Sequence, residues 1–383
     1  MPKMKILVIG ISVRAMVESA VHSGYSVVAL DAFGDQDLRA MAESYALQKD
    51  FHIPYSPGAL FETGRRLTFD LVAYTSNLEN SPETLDRFAE QQRLIGNSPE
   101  VVRSVRHFPD LFRRLADSGF PVPETIFALP GPEPDPNRKW LIKPVLSGGG
   151  HGISFVHEKK FRSGRRMLQQ YIAGKACSAS FVANGRESVL IGVAEQLIGL
   201  GEFGAKGFRY CGSMLPLPEV LHEDSGKTIL QQVRRIAAFL TREYRLTGVN
   251  GFDFILHRDQ VWLTEVNPRY SASMELVERA YGLPIFRLHM EAVVDGRLPP
   301  FKLESQLNGG EFFGKSILFC ERDSTAPEAF DFSGADLRDI PPAGERLRQG
   351  NPLCTLLTGR KTYGETLDEL IRQAVKIKEQ IYG

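Results

Sequence analysis

The chain has 383 residues, 43% of them hydrophobic, and 46 basic side chains balance 46 acidic ones to a formal net charge of +0. That length exceeds a usual single core and predicts two or three domains, while the balanced charge leaves no basic stripe for a nucleic-acid backbone. No stretch reaches the apolar length of a membrane span, and the N-terminal "MPKMKILVIGIS" lacks the features of a signal peptide, so a cytoplasmic protein with neither a membrane nor a nucleic-acid partner is expected.

"KILVIG" (5–10) is an apolar strand ending in glycine, "SVRAMVESAVHSG" (12–24) a helix and "YSVVALD" (25–31) a second buried-type strand. "FDLVAYT" (69–75) is another strand, and "SPETLDRFAEQQ" (81–92) opens a helix on serine and proline. Residues 1–100 therefore read as an open parallel α/β domain. Gly10 with Asp31 some twenty residues on invites a dinucleotide reading, but "GISVRA" lacks the second and third glycines that close approach to a pyrophosphate requires. Gly10 reads as a tight strand-to-helix turn. Ser12 and Arg14 either meet a substrate anion at the helix start or are solvated.

"VRHFPDLFRRLADSGFPVPET" (105–125) is a helix with a proline-stiffened exit, and "LPGPEPDPNR" (129–138) is an exposed connector. "KWLIKP" and "GISFVH" are short strands around a glycine loop, followed by "MLQQYIAG", "ACSASFVA" and "ESVLIGVAEQLIG". The basic run "RSGRR" (162–166) reads as a solvated turn. "KTILQQVRRIAAFLTREY" (227–244) is an amphipathic helix, "GVNGFDFILHRDQVWLTEVNPRY" (248–270) a hairpin, and "SMELVERAYG" (273–282) a helix start. From about 301 the pattern becomes a small mixed or β-rich region. The four cysteines, Cys177, Cys211, Cys320 and Cys354, form no metal or disulfide spacing and read as reduced, packed residues.

Two places carry chemistry. Lys143 sits in an apolar strand, where an unpaired charge is costly. It precedes a loop with Gly148, Gly149, Gly150 and Gly152, whose backbone N–H groups can converge on one anion, and Ser147 offers that loop a hydroxyl donor. Together they suit a polyphosphate, although a glycine run is also a plain hairpin tip. The spacing is not that of a Walker loop. His151 either faces the phosphates or is an exposed loop histidine.

In the hairpin, a turn centred on Asp259 sets His257 against Val261, Ile255 against Leu263 and Asp253 against Glu265, with Asn267 two residues further on the same face. Two carboxylates and an amide oxygen make a hard site for Mg2+ or Mn2+ rather than zinc. The alternative is a solvated acidic face, and a one-residue slip in register would break the set. Arg269, at the strand exit, has planar donors for a phosphoryl group or a carboxylate.

With these motifs the sequence resembles ATP-grasp enzymes over nearly all of residues 1–300. "GVNGFDFIL…VWLTEVNPRYSAS" is similar to that family's metal-binding strand pair, "IKPVLSGGGHGI" to its phosphate-binding strand and lid, and "LQQYIAG" to the hinge beside adenine. The resemblance implies ATP and magnesium as cofactors. Asp253, Glu265 and Asn267 would be metal ligands, and Lys143, Ser147, Gly148, Gly149 and Gly150 would lie on the phosphates. Gln170, Tyr171 and Ile172 would lie on the adenine, although the Gln-Gln pair departs from the family's frequent glutamate. Arg106, chosen from Arg103, Arg106 and His107, would stand for the family's second basic ATP ligand, usually lysine. "NLENSPETL", "LIGNSPEVV", "AEQLIG", "FRYCGSMLPL" and "DIPPAGERLRQGNPLCTLLTG" are similar to a group of predicted ATP-dependent carboligases.

The implied fold is α/β: an N-terminal open parallel α/β domain (1–100), an ATP-grasp domain of two lobes (101–300) and a small C-terminal mixed or β-rich domain (301–383). The implied activity is a carboxylate–amine ligase working through an acylphosphate, with Lys143 and Arg269 as catalytic residues, small-molecule carboxylate and amine partners, and a homodimer as a possible assembly. A small-molecule kinase of the same fold and a non-catalytic ATP-binding protein are the alternatives. Arg14, Asp31, Glu79 and Asn80 at predicted strand ends, and Lys206, Arg209 and Tyr210 in a glycine-rich flap, are candidate substrate neighbours.

Overall fold

The computed structural model describes residues 4–127, 133–156, 165–307, 310–328 and 336–383. Residues 129–132 of the connector and 162–164 of the basic run lie outside them. The first strands, β1 (Lys5–Ile9), β2 (Ser26–Asp31), β3 (Glu43–Ala46), β4 (Leu71–Tyr74) and β5 (Arg93–Ile95), form a parallel sheet in the order β3-β2-β1-β4-β5. Helices α1 (Arg14–His22), α2 (Gln36–Met41), α3 (Leu47–Phe51), α4 (Pro57–Gly64) and α5 (Pro82–Ala89) flank it. β1 is covered on both sides: Ile6 and Val8 join one apolar cluster, Leu7 and Ile9 another. This is why its sequence is an unbroken apolar run. Strand order reverses across β1, and the C-terminal ends of strands at such a reversal are where open α/β sheets hold ligands. Gly10 follows β1 there. A Cβ there would stand 2.6 Å from Thr75 Cγ2 and 2.8 Å from Ser76 O, so the glycine serves close packing of the β4 loop.

Helices α6 (Pro99–Arg106) and α7 (Phe108–Asp117) lead to a small antiparallel sheet of β6 (Thr125–Ile126), β7 (Trp140–Pro144), β8 (Ser154–Phe155) and β9 (Arg166–Gln170), in the order β6-β9-β7-β8. The chain then enters an eight-stranded sheet. Its members are β10 (Lys175–Asn184), β11 (Ser188–Ile198), β12 (Tyr210–Leu215), β13 (Thr247–His257), β14 (Gln260–Asn267), β15 (Phe312–Phe319), β17 (Asp336–Arg338) and β19 (Pro352–Arg360). The order is β14-β13-β10-β11-β12-β15-β19-β17. Helix α8 (Glu223–Tyr244) buries Ile229, Val233, Ile236 and Leu240 against one face. Helices α9 (Met274–Tyr281) and α10 (Ile285–Val294) lie in the cluster shared with α1.

The last strands thus continue the sheet that carries the hairpin. Met214 on β12, Leu318 on β15 and Leu356 on β19 share a core with Leu370, Ala374 and Ile377 of α12 (Tyr363–Tyr382). That helix starts on a reciprocal cap between Thr362 and Glu365. The short helix α11 (Glu304–Leu307) and the two-stranded pair β16 (Ser324–Thr325) and β18 (Arg346–Leu347) complete the chain.

The hairpin differs from the sequence expectation near its turn. Arg258 (φ 47°) and Asp259 (φ 60°) form a two-residue turn, so His257 faces Gln260 and Ile255 faces Trp262. Each pair is one residue off the expected alignment. Between Asp253 and Phe254 the register then shifts, leaving Thr264 as the extra residue of a bulge. Beyond it Asp253 faces Glu265, as expected, and Gly251 faces Asn267. The Thr264 hydroxyl donates to Asp253 O at 3.1 Å and pins the bulge.

Candidate functional site

Asp253, Glu265 and Asn267 lie together at the exit of the hairpin, on the face turned toward the small sheet. Burial first, and then the neighbouring Glu265 charge, push the Asp253 carboxyl up to about 7, although the side chains of Asn267 and Gln196 hydrogen-bond to it. Arg106, almost fully buried on α6, donates from Nη1 to Glu265 Oε1 at 2.5 Å and from Nη2 to Asn80 Oδ1 at 2.6 Å. Its guanidinium also covers the Phe108 ring at 4.7 Å. Arg269 donates from Nη2 to Glu79 Oε1 at 2.6 Å and to Asn267 Oδ1 at 3.3 Å. Two opposed carboxylates and an amide oxygen are a donor set that fits a hard divalent cation. Among the described residues no group of three or more His, Cys, Asp or Glu is placed to hold a metal, so an amide must supply any third side-chain ligand.

Lys143 stands above this face on β7. Desolvation lowers its ammonium pKa, against the opposing pull of the Glu265 and Asp253 charges. Its Nζ donates to Gln169 Oε1 at 3.0 Å, and Gln169 Nε2 donates to Thr125 Oγ1 at 3.2 Å. The register explains the partner. Leu141 pairs with Gln169 and Lys143 with Met167, so all four share a face, while Gln170 pairs with Trp140 on the other. The Gln170 side chain therefore points away, beside Glu124, Arg138 and Trp262. This corrects the expectation that it meets a nucleotide: the inward glutamine is Gln169. Sequence alone did not single it out, because choosing between adjacent glutamines needs the pairing of β7 with β9.

The glycine loop is docked. Gly149 O accepts from Tyr210 N at 3.0 Å, and a Cβ on Gly150 (φ +74°) would lie 1.8 Å from Phe208 O. The Phe155 ring packs at 5.3 Å from Tyr171 and 5.4 Å from Phe208, so lid, hinge and flap meet through three aromatic rings. Gly148 has open space around it, Ser147 is half-buried and His151 is exposed. At the hinge, Tyr171 and Ile172 are half-buried, and Gly174 runs so close to β13 that a Cβ would stand 2.3 Å from Leu256 O.

Of the candidate substrate neighbours, Glu79 and Asn80 are brought to the site through Arg269 and Arg106. Tyr210, at the start of β12, is half-buried, with its hydroxyl 2.9 Å from Ser213 Oγ. Lys206 is exposed, and Arg209 covers the Phe319 ring at 4.0 Å. Arg14 is neither solvated nor free for an anion. It is fully buried and engages Glu275, Glu18 (2.7 Å) and Asp339 (3.0 Å). Lys315 on β15 joins this network at 2.5 Å from Glu275 Oε2. The Gln196 side chain hydrogen-bonds to Asp253, and the pairs Gln196–Ser213 and Ser213–Lys315 carry polar side chains on from the metal-type acids to the C-terminal strands. Sequence reading missed Gln196, Ser213 and Lys315 because they lie on three separate strands, β11, β12 and β15. Only cross-strand pairing puts them in one row.

Comparison with known proteins places residues 110–273 in the family described as the ATP-grasp domain. An uncharacterized protein of Methanocaldococcus jannaschii is 23% identical over 384 residues, covering 92% of this chain and 88% of its own. The biotin carboxylase domain dimer of Hydrogenobacter thermophilus 2-oxoglutarate carboxylase, solved with MgADP, ADP and bicarbonate, superposes with a TM-score of 0.72 at 14% identity, covering 98% of this chain and 90% of that one. N5-carboxyaminoimidazole ribonucleotide synthetase from Thermotoga maritima superposes with a TM-score of 0.66 at 17% identity, covering 98% of each chain. The ATP-grasp fold, the N-terminal parallel sheet and the β-rich C-terminal region are therefore as the sequence resemblance implied.

Proposed function

We propose, from the premise that residues 110–273 are an ATP-grasp domain, that the protein is an ATP-dependent ligase joining a small-molecule carboxylate to an amine through an acylphosphate. The observation that carries the reading is the convergence of Lys143, Arg106 and Arg269 on the face of Asp253, Glu265 and Asn267. Asp253, Glu265 and Asn267 hold the divalent cation, and Lys143 holds phosphate oxygens. A bound magnesium ion supplies charge neutralisation on the polyphosphate. Arg269, oriented by Glu79, presents donors where a transferring phosphoryl group or a substrate carboxylate needs them. Arg106, held by Glu265 and Asn80 through its two Nη groups, keeps its Nε–H for the nucleotide as the second basic ligand. The docked glycine loop excludes water from a hydrolysable acylphosphate. The neutral amine nitrogen attacks the acyl carbon as the C–O bond to phosphate breaks, and the departing phosphate takes the electron pair and the nitrogen's proton, leaving an amide.

In this reading residues 1–100 contribute the substrate crevice, 101–300 the nucleotide site and 301–383 the far end of its floor. The dimeric neighbour supports a homodimer. No helix among the described residues is long and apolar enough to cross a membrane, which accords with the cytoplasmic location we infer.

The test is a panel of acids and amines, with ADP release and product mass read together, on wild type and Glu265→Gln. Amine-dependent ADP release with an amide product, reduced about 100-fold or more in the variant, supports the proposal. A stable phosphorylated acid formed without amine replaces it with the kinase reading. Normal turnover by folded Glu265→Gln removes the metal assignment.

A further inference from the structure

We infer that Tyr210 is a positioning residue that ties docking of the glycine loop to the grip of Asp253 on the divalent cation; this rests on the metal assignment in the ligase reading. Tyr210 makes contacts in two directions. Its backbone N–H donates to Gly149 O in the loop at 3.0 Å, and its hydroxyl lies 2.9 Å from Ser213 Oγ. Ser213 is fully buried and stands directly opposite Gln196 on β11, where facing side chains are about 5 Å apart at Cβ. The Gln196 side chain hydrogen-bonds in turn to Asp253. Tyr210 thus meets the loop with its main chain and, through Ser213 and Gln196, the metal-type acid with its phenol.

A break in the strand makes this possible. Residues three apart on a regular strand face opposite sides of a sheet, so Tyr210 and Ser213 would not meet. Here Leu197 pairs with Gly212 and Ile198 with Tyr210, which leaves Cys211 as the extra residue of a bulge. The buried Cys211 Sγ donates to Leu197 O at 3.3 Å and holds the bulge in place. The bulge turns the Tyr210 side chain onto the face of Ser213, Gln196 and Asp253. On the other side, Gly199 N donates to Arg209 O at 2.7 Å and fixes the flap just before Tyr210.

The link reaches the cation ligand from behind. The side chains that hydrogen-bond to Asp253 are those of Asn267, itself a proposed ligand, and Gln196, which is not. Gln196 therefore orients Asp253 on behalf of the rest of the sheet, and Ser213 and Tyr210 set where Gln196 stands. Removing the partner behind a metal ligand changes affinity by about 10- to 100-fold. Tyr210 acts further back, so about fivefold is expected of its hydroxyl. Coupling of this kind is reciprocal: whatever the docked loop adds to the hold on the cation, the bound cation adds to docking of the loop.

Tyr210→Phe separates this role from a structural one, because it keeps the main-chain N–H and the ring and removes only the hydroxyl. The probe is the non-hydrolysable β,γ-imido analogue of ATP, titrated by calorimetry in excess Mg2+ and in EDTA. The ratio of the two Kd values is the metal enhancement. Tyr210→Phe should lower that ratio about fivefold while the Kd in EDTA stays unchanged. Gly150→Ala, which lifts the loop, should lower the ratio in wild type and lower it less in the Tyr210→Phe background. Ser213→Ala removes the hydroxyl's partner from the other side and should repeat the Tyr210→Phe result, which keeps the test open if the first variant does not fold. An unchanged ratio in folded Tyr210→Phe or Ser213→Ala, an equal loss with and without metal, or independent losses in the double variant overturns the inference. No metal enhancement in wild type removes the metal assignment and the inference with it. Metal enhancement that falls in Tyr210→Phe, in a protein that forms no amide, leaves the link standing and removes the ligase reading alone.

Discussion

A graded alanine series along the glycine loop tests whether its docked position matters to turnover. A Cβ on Gly148 would meet nothing within 4 Å, and the residue has no left-handed φ, so Gly148→Ala should be close to neutral. Gly149 also has open space but sits at φ +61°. Alanine there costs about 1 kcal/mol in the left-handed region, which lowers the docked population about fivefold. Gly150 combines φ +74° with a Cβ position only 1.8 Å from Phe208 O. The loop must retreat until that contact exceeds about 3 Å, which also breaks the hydrogen bond from Tyr210 N to Gly149 O at about 1 kcal/mol. Backbone strain and the lost bond together come to about 2 kcal/mol before the clash is counted, or about 30-fold in the docked population. The assay is ADP release under subsaturating ATP, with circular dichroism as the control for folding. The expected order of activity is Gly148→Ala, then Gly149→Ala, then Gly150→Ala, the last reduced about 30-fold or more. Equal activity of Gly150→Ala and Gly148→Ala, with both folded, would refute the claim that catalysis needs the loop against the flap.

Arg14→Met should destabilise the protein by about 3–5 kcal/mol, because it strips the shared guanidinium from buried Glu275 and Asp339; urea unfolding at neutral pH measures this, and a loss below about 1 kcal/mol contradicts the account. His289, buried between β13 and β5, accepts from Val249 N at Nδ1 and donates from Nε2 to Ile95 O. Desolvation lowers its pKa to about 4. The unfolded chain takes up this proton first, near pH 6.5, so the histidine's share of stability is intact above about pH 6.5 and is lost as pH falls toward 4. Wild type should therefore lose on the order of 2–3 kcal/mol more than His289→Gln across that window, and parallel urea midpoints for the two proteins would contradict it. Gln169→Leu should raise the KM for ATP while Gln169→Glu preserves it, since either native-length side chain keeps an acceptor on Lys143; unchanged kinetics in the leucine variant would remove Gln169 from the site.

The sequence made the N-terminal sheet legible because β1, β2 and β4 are short apolar runs with turn residues between them. The hairpin was legible for a subtler reason. The assumed three-residue turn was one residue too long, and the bulge at Thr264 restores the lost residue before Asp253 is reached. Nothing in "WLTEVN" announces that bulge. Parity between adjacent glutamines was equally hidden, since it depends on which residue of β7 lies opposite. The role of Arg14 was misjudged because its partners Glu275 and Asp339 are hundreds of residues away in the chain. The change of texture near 301 marks no break in the large sheet, because β15 hydrogen-bonds directly to β12.

That junction governs how the protein comes into being. β12 leaves the ribosome well before β15, and until then one margin of the half-made platform has bare amide and carbonyl groups open to any passing strand. The late arrival of β15, with α12 packing behind it, seals that margin. A nascent or truncated chain ending before residue 312 therefore has the nucleotide-type residues already synthesised and yet is sticky, incompletely floored and prone to aggregate.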